Sequence, residues 1–191
     1  MSVACQAQDH RQQIYADLIS ISPTSPNQEW LTCIVASWCD GQGVLPDYLG
    51  LEAGQFNRLI QTYYPGSKLP SIAPSGSQLD FTRMLEREDL VRLLNHFRQT
   101  DHAEVDFIIQ ILVAGCLGND HLWQDLGLWS RPQLTAMLQY NFPELAAKNN
   151  QDMKWKKFLY KLLCEAEGIY VCRAPSCQVC VDYPKCYGAE D

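Results

Sequence analysis

Residues 107–128 read FIIQILVAGCLGNDHLWQDLGL, and residues 30–51 read WLTCIVASWCDGQGVLPDYLGL. The two stretches align without a gap: Cys39 falls on Cys116, Gly41 on Gly118, Leu45 on Leu122, and Leu-Gly-Leu recurs at 49–51 and 126–128. With one residue inserted, the correspondence continues through Gln55 and Gln133, Phe56 and Leu134, and Tyr64-Pro65 and Phe142-Pro143. Each copy reads as helix, turn, Leu-Gly-Leu, helix, aromatic-Pro. A repeat of this length decides architecture. Two similar helical hairpins, 30–65 and 107–143, are expected to pack about a pseudo-twofold axis, with GSKLPSIAPSGSQ at 66–78 as the flexible connection between them.

Outside the repeat the pattern is helical as well. Alternation with period two is nearly absent, whereas apolar residues fall three and four apart. Ile14, Leu18 and Ile21 share a face of a helix over 10–21, which SPTSP at 22–26 ends. Leu90, Leu93, Leu94 and Phe97 form a second stripe. Asp101 followed by Glu104 resembles a capping box ahead of Val105, Ile108, Ile109, Leu112 and Cys116. Ser130, with Pro132 and Gln133 behind it, marks another helix start. The last strong helix carries Trp155, Phe158, Leu159, Leu162 and Leu163 on one side, and Gly168 can close it. The expected fold is mostly α: a bundle of helical hairpins over 1–167, with a C-terminal cysteine-rich metal-binding loop over 168–191 packed on or near it.

The bulk properties narrow the function. A chain of 191 residues suits one sizeable core with an appended segment. It is 47% hydrophobic and 19% charged, the balance of a packed protein and not of a disordered one. A net charge of −7 argues against nucleic acid as the main partner, because neutralising phosphates needs a basic field. The N-terminus MSVACQAQDHRQQIY has no apolar core of the kind a secretory signal requires. FIIQILVAGCLG at 107–118 is too short to span a membrane. A cytoplasmic protein with no membrane partner is expected, and in that reducing compartment nine cysteines read as ligands or small core residues rather than a disulfide framework.

Four of the nine stand in CRAPSCQVCVDYPKC at 172–186, spaced C-x4-C-x2-C-x5-C: Cys172, Cys177, Cys180 and Cys186. Thiolates are soft ligands that suit both zinc and iron-sulfur clusters, so residue type alone does not choose. Structural zinc sites usually use two close pairs across a longer loop. Here one C-x2-C is flanked by single cysteines, more like a loop wrapped round a larger object. The first three also match the spacing of plant-type ferredoxins, but the fourth follows far too soon. Four clustered thiolates carry four negative charges with only Arg173 and Lys185 to offset them, so a multivalent metal is needed to hold them.

Other candidates surround this segment. Cys164 ends the preceding helix and is either core or an accessory ligand; Cys33, Cys39 and Cys116 lie on apolar faces and read as core. Lys154, Lys156, Lys157 and Lys161 in MKWKKFLYK form either a solvated face or a local positive field that attracts an oxyanion such as molybdate, or an acidic partner. His121 follows a glycine-containing helix end, where it can cap that helix's carbonyls or serve as an accessory metal ligand. No HExxH, GxSxG, P-loop or GxGxxG occurs, and an enzyme acting on an organic substrate is not expected.

The stretches HLWQDLGLWSR (121–131), NFPELAAKNN (141–150), MKWKKFLYKLLC (153–164) and above all CRAPSCQVCVDYPKCYG (172–188) resemble the NifQ family of nitrogen-fixation proteins. The resemblance covers 107–188 strongly and the LPDYLGL half more loosely, and Tyr187 stands where phenylalanine is expected. It implies that Cys172, Cys177, Cys180 and Cys186 hold an iron-sulfur cluster containing molybdenum, with molybdate as the metal source. It further implies donation of molybdenum to the scaffold of the nitrogenase iron-molybdenum cofactor and its reductase partner. The competing expectations are a structural four-cysteine zinc tail on a helical interaction module, and an iron-sulfur redox or metal sensor.

Overall fold

The computed structural model describes residues 3–67, 69 and 86–167, and the side chains of 10–67, 69 and 86–166. Among these residues there are nine α-helices and no strand. In chain order they are α1 (Val3–Ile21), α2 (Pro26–Cys39), a 3-10 turn (Asp47–Gly50), α3 (Ala53–Tyr63), α4 (Arg87–Phe97), α5 (Val105–Gly115), α6 (Leu122–Asp125), α7 (Arg131–Asn141), α8 (Pro143–Lys148) and α9 (Trp155–Glu167). The mostly α expectation therefore holds for the described body. The expected connection at 66–78 lies largely outside the described residues, and so do Gly168 and the whole segment 168–191.

Two helices form the middle of the molecule because their sequences leave no polar face. Every residue of α5 from Ile108 to Gly115 is apolar except Gln110, and all eight of Val105, Ile108, Ile109, Ile111, Leu112, Val113, Ala114 and Gly115 are buried. In α2 the run Leu31–Ser37 is likewise buried. A helix apolar all round must be covered on all sides. The cover comes from α1 lying along α2, α4 along α5, and α7 against α2, with α9 against α4. Tyr15 of α1 reaches over to the Trp129 ring, 5.0 Å between centroids, so α1 also covers the loop before α7.

Local chemistry sets the helix starts. Ser25 caps α2: its Oγ accepts from the Gln28 N–H at 3.3 Å, and Gln28 Oε1 accepts from the Ser25 N–H at 3.4 Å, with Pro26 in the first turn, where its missing N–H costs nothing. Ser130 caps α7 as expected, accepting from the Gln133 N–H at 3.4 Å. Gln133 folds back one residue further, onto the Trp129 N–H at 2.8 Å. The capping box expected of Asp101 and Glu104 does not form. Residues 101–104 make turns instead, α5 starts at Val105, and the buried Glu104 carboxylate accepts from the Ser25 hydroxyl at 3.0 Å. A tertiary bond to the cap of another helix has taken the side chain that the local motif would have used.

These magnitudes separate core from cap. Leu112→Ala, at a position fully enclosed, should cost about 3 kcal/mol, and Ser130→Ala about 1 kcal/mol, both read from urea unfolding midpoints.

Candidate metal centre

The helix that leads into the cysteine segment is α9. Its apolar residues dock it firmly: Trp155, Phe158, Leu159, Tyr160 and Leu163 are all buried, and the Trp155 indole donates to Thr135 Oγ1 of α7 at 3.0 Å. Lys154 stands just before α9; at 100° per residue, Lys157 and Lys161 lie about 40° apart on the helix, and Lys156 is turned away from both. Lys161 is exposed, 3.7 Å from Glu165 one turn on; Lys154 and Lys157 are half-buried.

Lys156 is turned into the protein. Its ammonium donates to the Gly118 carbonyl at 2.9 Å and the Asp120 carbonyl at 2.8 Å, and forms an ion pair with the Asp125 carboxylate, which is only 1% exposed. Three donors meet three acceptors, which is the full capacity of a lysine. The same Asp125 Oδ2 accepts from the Asp120 N–H at 3.2 Å, while Oδ1 has no hydrogen-bond partner among the described residues. Gly118 is required here, because a Cβ on it would strike the Asp125 carboxylate. Burial pushes the Asp125 carboxyl above its ordinary range, outweighing the opposing pull of Lys156. Lys156 thus serves to fasten the turn 118–125 to α9, which leaves Lys161 as the exposed lysine of the group and Lys154 and Lys157 half-buried.

His121 is exposed and heads α6: its N–H donates to Gln124 Oε1 at 3.3 Å, and its carbonyl accepts from the Gln124 and Asp125 N–H groups at 2.9 and 3.0 Å. It starts the next helix rather than capping the one before. Its neighbour Asp120 meets α9 at Lys156, and Cys164 lies eight residues further along, about 12 Å at helical rise. The two accessory candidates therefore stand beside different ends of α9.

Three of the body cysteines are poor ligands. Cys33, Cys116 and Cys164 are buried and Cys39 half-buried. Burial raises the Cys33 and Cys116 thiols to about 12 and Cys39 to about 11, so these three are protonated at neutral pH. Among the described residues, no three His, Cys, Asp or Glu side chains gather into a metal-holding group. Cys172, Cys177, Cys180 and Cys186 lie outside the described residues.

The family model for NifQ matches residues 30–188, a span that includes α9 and all four of these cysteines. The chain belongs to the NifQ family. It is 45% identical over 174 residues to Protein NifQ of Azotobacter vinelandii, covering 86% of this chain and 89% of that one. It is 32% identical over 169 residues to Protein NifQ of Klebsiella pneumoniae, covering 85% and 99% respectively. A NifQ homolog of Sinorhizobium fredii matches 51% of the chain at 47% identity, over 42% of its own length. No solved structure matches it. No helix among the described residues of this NifQ chain is long and apolar enough to cross a membrane.

Two outcomes follow from the buried groups. Lys156→Met leaves Asp125 enclosed without its cation and should cost about 3 to 5 kcal/mol at neutral pH. A carboxyl whose folded value lies above its unfolded value loses stabilising power as pH rises between the two, and removing the ammonium raises the folded value further. The deficit of Lys156→Met against wild type should therefore shrink as pH falls toward about 4, measured by urea unfolding across pH. Separately, iodoacetamide at neutral pH should leave Cys33 and Cys116 unmodified in the folded chain and label both after denaturation, as read by peptide mass spectrometry.

Proposed function

We propose that this NifQ chain is a molybdenum carrier for nitrogen fixation, using Cys172, Cys177, Cys180 and Cys186 to hold an iron-sulfur cluster in which molybdenum travels as cargo. The observation that carries this reading is the contrast between the two sets of cysteines. The body holds Cys33, Cys39 and Cys116 as protonated thiols. The four tail cysteines lie within fifteen residues of a segment that the family match includes. Soft sulfur donors fit iron and molybdenum together, and three of the four suffice for the iron corners of a cuboidal cluster, which leaves the molybdenum corner to the remaining thiolate, a non-protein ligand or His121.

The remaining parts have roles in the same reading. Lys154, Lys157 and Lys161 form a positive sector on an acidic protein, suited to drawing molybdate in or to meeting an acidic partner surface. Lys156 fixes the helix that presents them. His121 is a candidate for the exchangeable corner, and Cys164, buried near the end of α9, is a candidate fifth or transient ligand. The recipients are the scaffold of the nitrogenase cofactor and its reductase partner. The protein acts in the cytoplasm as a carrier and not as an enzyme.

An alanine series tests the assignment. Cys172→Ala, Cys177→Ala, Cys180→Ala and Cys186→Ala should each lose most bound iron and molybdenum while far-UV circular dichroism stays that of the wild type; Cys33→Ala and Cys116→Ala should keep the metal. Unchanged metal content across the four tail variants contradicts the assignment.

A further inference from the structure

We infer that the helical body is an internal homodimer: two copies of one unit whose shared surface is the self-complementary interface of a twofold pair. The sequence correspondence pairs residue n of the first copy with n+77 up to the Leu-Gly-Leu, and with n+78 after the inserted residue. A twofold pair has a strict signature: if i of one copy touches j of the other, then the counterpart of j touches the counterpart of i. Hairpins merely lying side by side do not show it.

Two unrelated contacts do. Gly50 packs on Ala114, where an added Cβ would come within 2.5 Å of the Ala114 Cβ. The counterparts are Gly127 and Ser37, and an added Cβ on Gly127 would come within 2.6 Å of the Ser37 Cβ. Both glycines are left-handed, at φ +80° and +76°. The second contact is polar. Asn27 and Asn141 exchange two amide hydrogen bonds, at 2.9 and 2.6 Å, in full burial. With the same offset carried three residues upstream of the aligned stretch, their counterparts are Glu104 and Tyr63, which also meet: the buried Glu104 carboxylate stands close enough to Tyr63 to add to the upward push that burial gives its hydroxyl. The chemistry has diverged while the reciprocal geometry has stayed.

The backbone agrees where the side chains no longer do. Tyr64 and Phe142 end α3 and α7 at φ −133°, ψ 55° and φ −140°, ψ 58°, each N–H donating at 2.8 Å to a carbonyl four residues back. The symmetry is incomplete: α7 packs on α2 more extensively than its counterpart α3 does on α5, and the seat of α9 exists on one side only. Gly118 and Asp125 build it in the second copy, whereas their counterparts are Gly41, with open space around it, and Tyr48, in a left-handed backbone at φ 61°. The pair of copies thus provides one seat for the helix that leads into the cysteine segment.

Ala114→Ser in the intact chain tests the inference. At the equivalent place Ser37 donates to the Gly127 carbonyl at 2.5 Å. A serine at 114 should find the Gly50 carbonyl in the same way and leave the thermal midpoint within about 2 °C of wild type; a buried hydroxyl with no acceptor lowers it by more than about 5 °C. The second arm exchanges the polar pair. Asn27→Glu with Asn141→Tyr installs at one site the chemistry of its counterpart, and the double variant should melt above either single one. A loss of more than about 5 °C in Ala114→Ser overturns the inference, as does a double variant that melts below the worse single; if a single variant does not fold, Ala114→Ser decides alone.

Discussion

The close approach of backbone to helix at Gly50 and Gly127 is the constraint from which the rest of the body follows. An added Cβ at either position would come within 2.6 Å of a carbon on the facing central helix, so the two Leu-Gly-Leu turns press directly on α5 and α2. That contact adds to the cover that α1, α4 and α7 give the two central helices. The hydroxyl of Ser37 completes it, donating to the Gly127 carbonyl at 2.5 Å and accepting from the Trp129 indole at 3.2 Å. Gly43 adds a third close approach, its Val44 neighbour donating to the Asp125 carbonyl at 2.9 Å. The turn that bears Asp125 is therefore held from both sides, by the other half of the body and by Lys156.

Rigidity of that turn passes to α9, the helix that precedes the four tail cysteines in the chain. Truncating either partner of a buried ion pair costs several kcal/mol, of order 3 to 5, because the remaining group stays enclosed. Apolar packing of Trp155, Phe158, Leu159 and Leu163 supplies the attraction that binds α9, and the ion pair fixes its rotation and register. Residues further along the chain start from a fixed point. The thiols of Cys33, Cys39 and Cys116 are kept protonated by the same dense core, which keeps them from competing for soft metals at neutral pH.

Much of this is legible in the sequence, for identifiable reasons. The stripe in α4, the start of α7 at Ser130 and the apolar character of α2 and α5 are local or periodic signals, and they hold. The capping box at Asp101 fails because Glu104 is taken by Ser25, 79 residues away in sequence, and no local pattern carries such a bond. Treating Lys154, Lys156, Lys157 and Lys161 as one group overlooks a signal that is present. Helical spacing alone turns Lys156 away from Lys157 and Lys161 and onto the side of the buried Trp155, Leu159, Tyr160 and Leu163, where a lysine demands a carboxylate. What the spacing does not name is the partner: Asp125 lies 31 residues away, in a stretch that reads as a plain polar turn. His121 stands at the expected joint but serves the helix that follows it, since a residue between two helices can belong to either end.

The most direct test of the molybdenum-carrier account is elemental analysis of the unmodified protein, purified without air from cells supplied with molybdate, beside its absorption spectrum. The account predicts iron and inorganic sulfide with accompanying molybdenum, in a brown protein whose visible absorption bleaches as the metal is lost. One equivalent of zinc in a colourless protein, with no iron, contradicts it and leaves a helical body carrying a structural four-cysteine zinc tail.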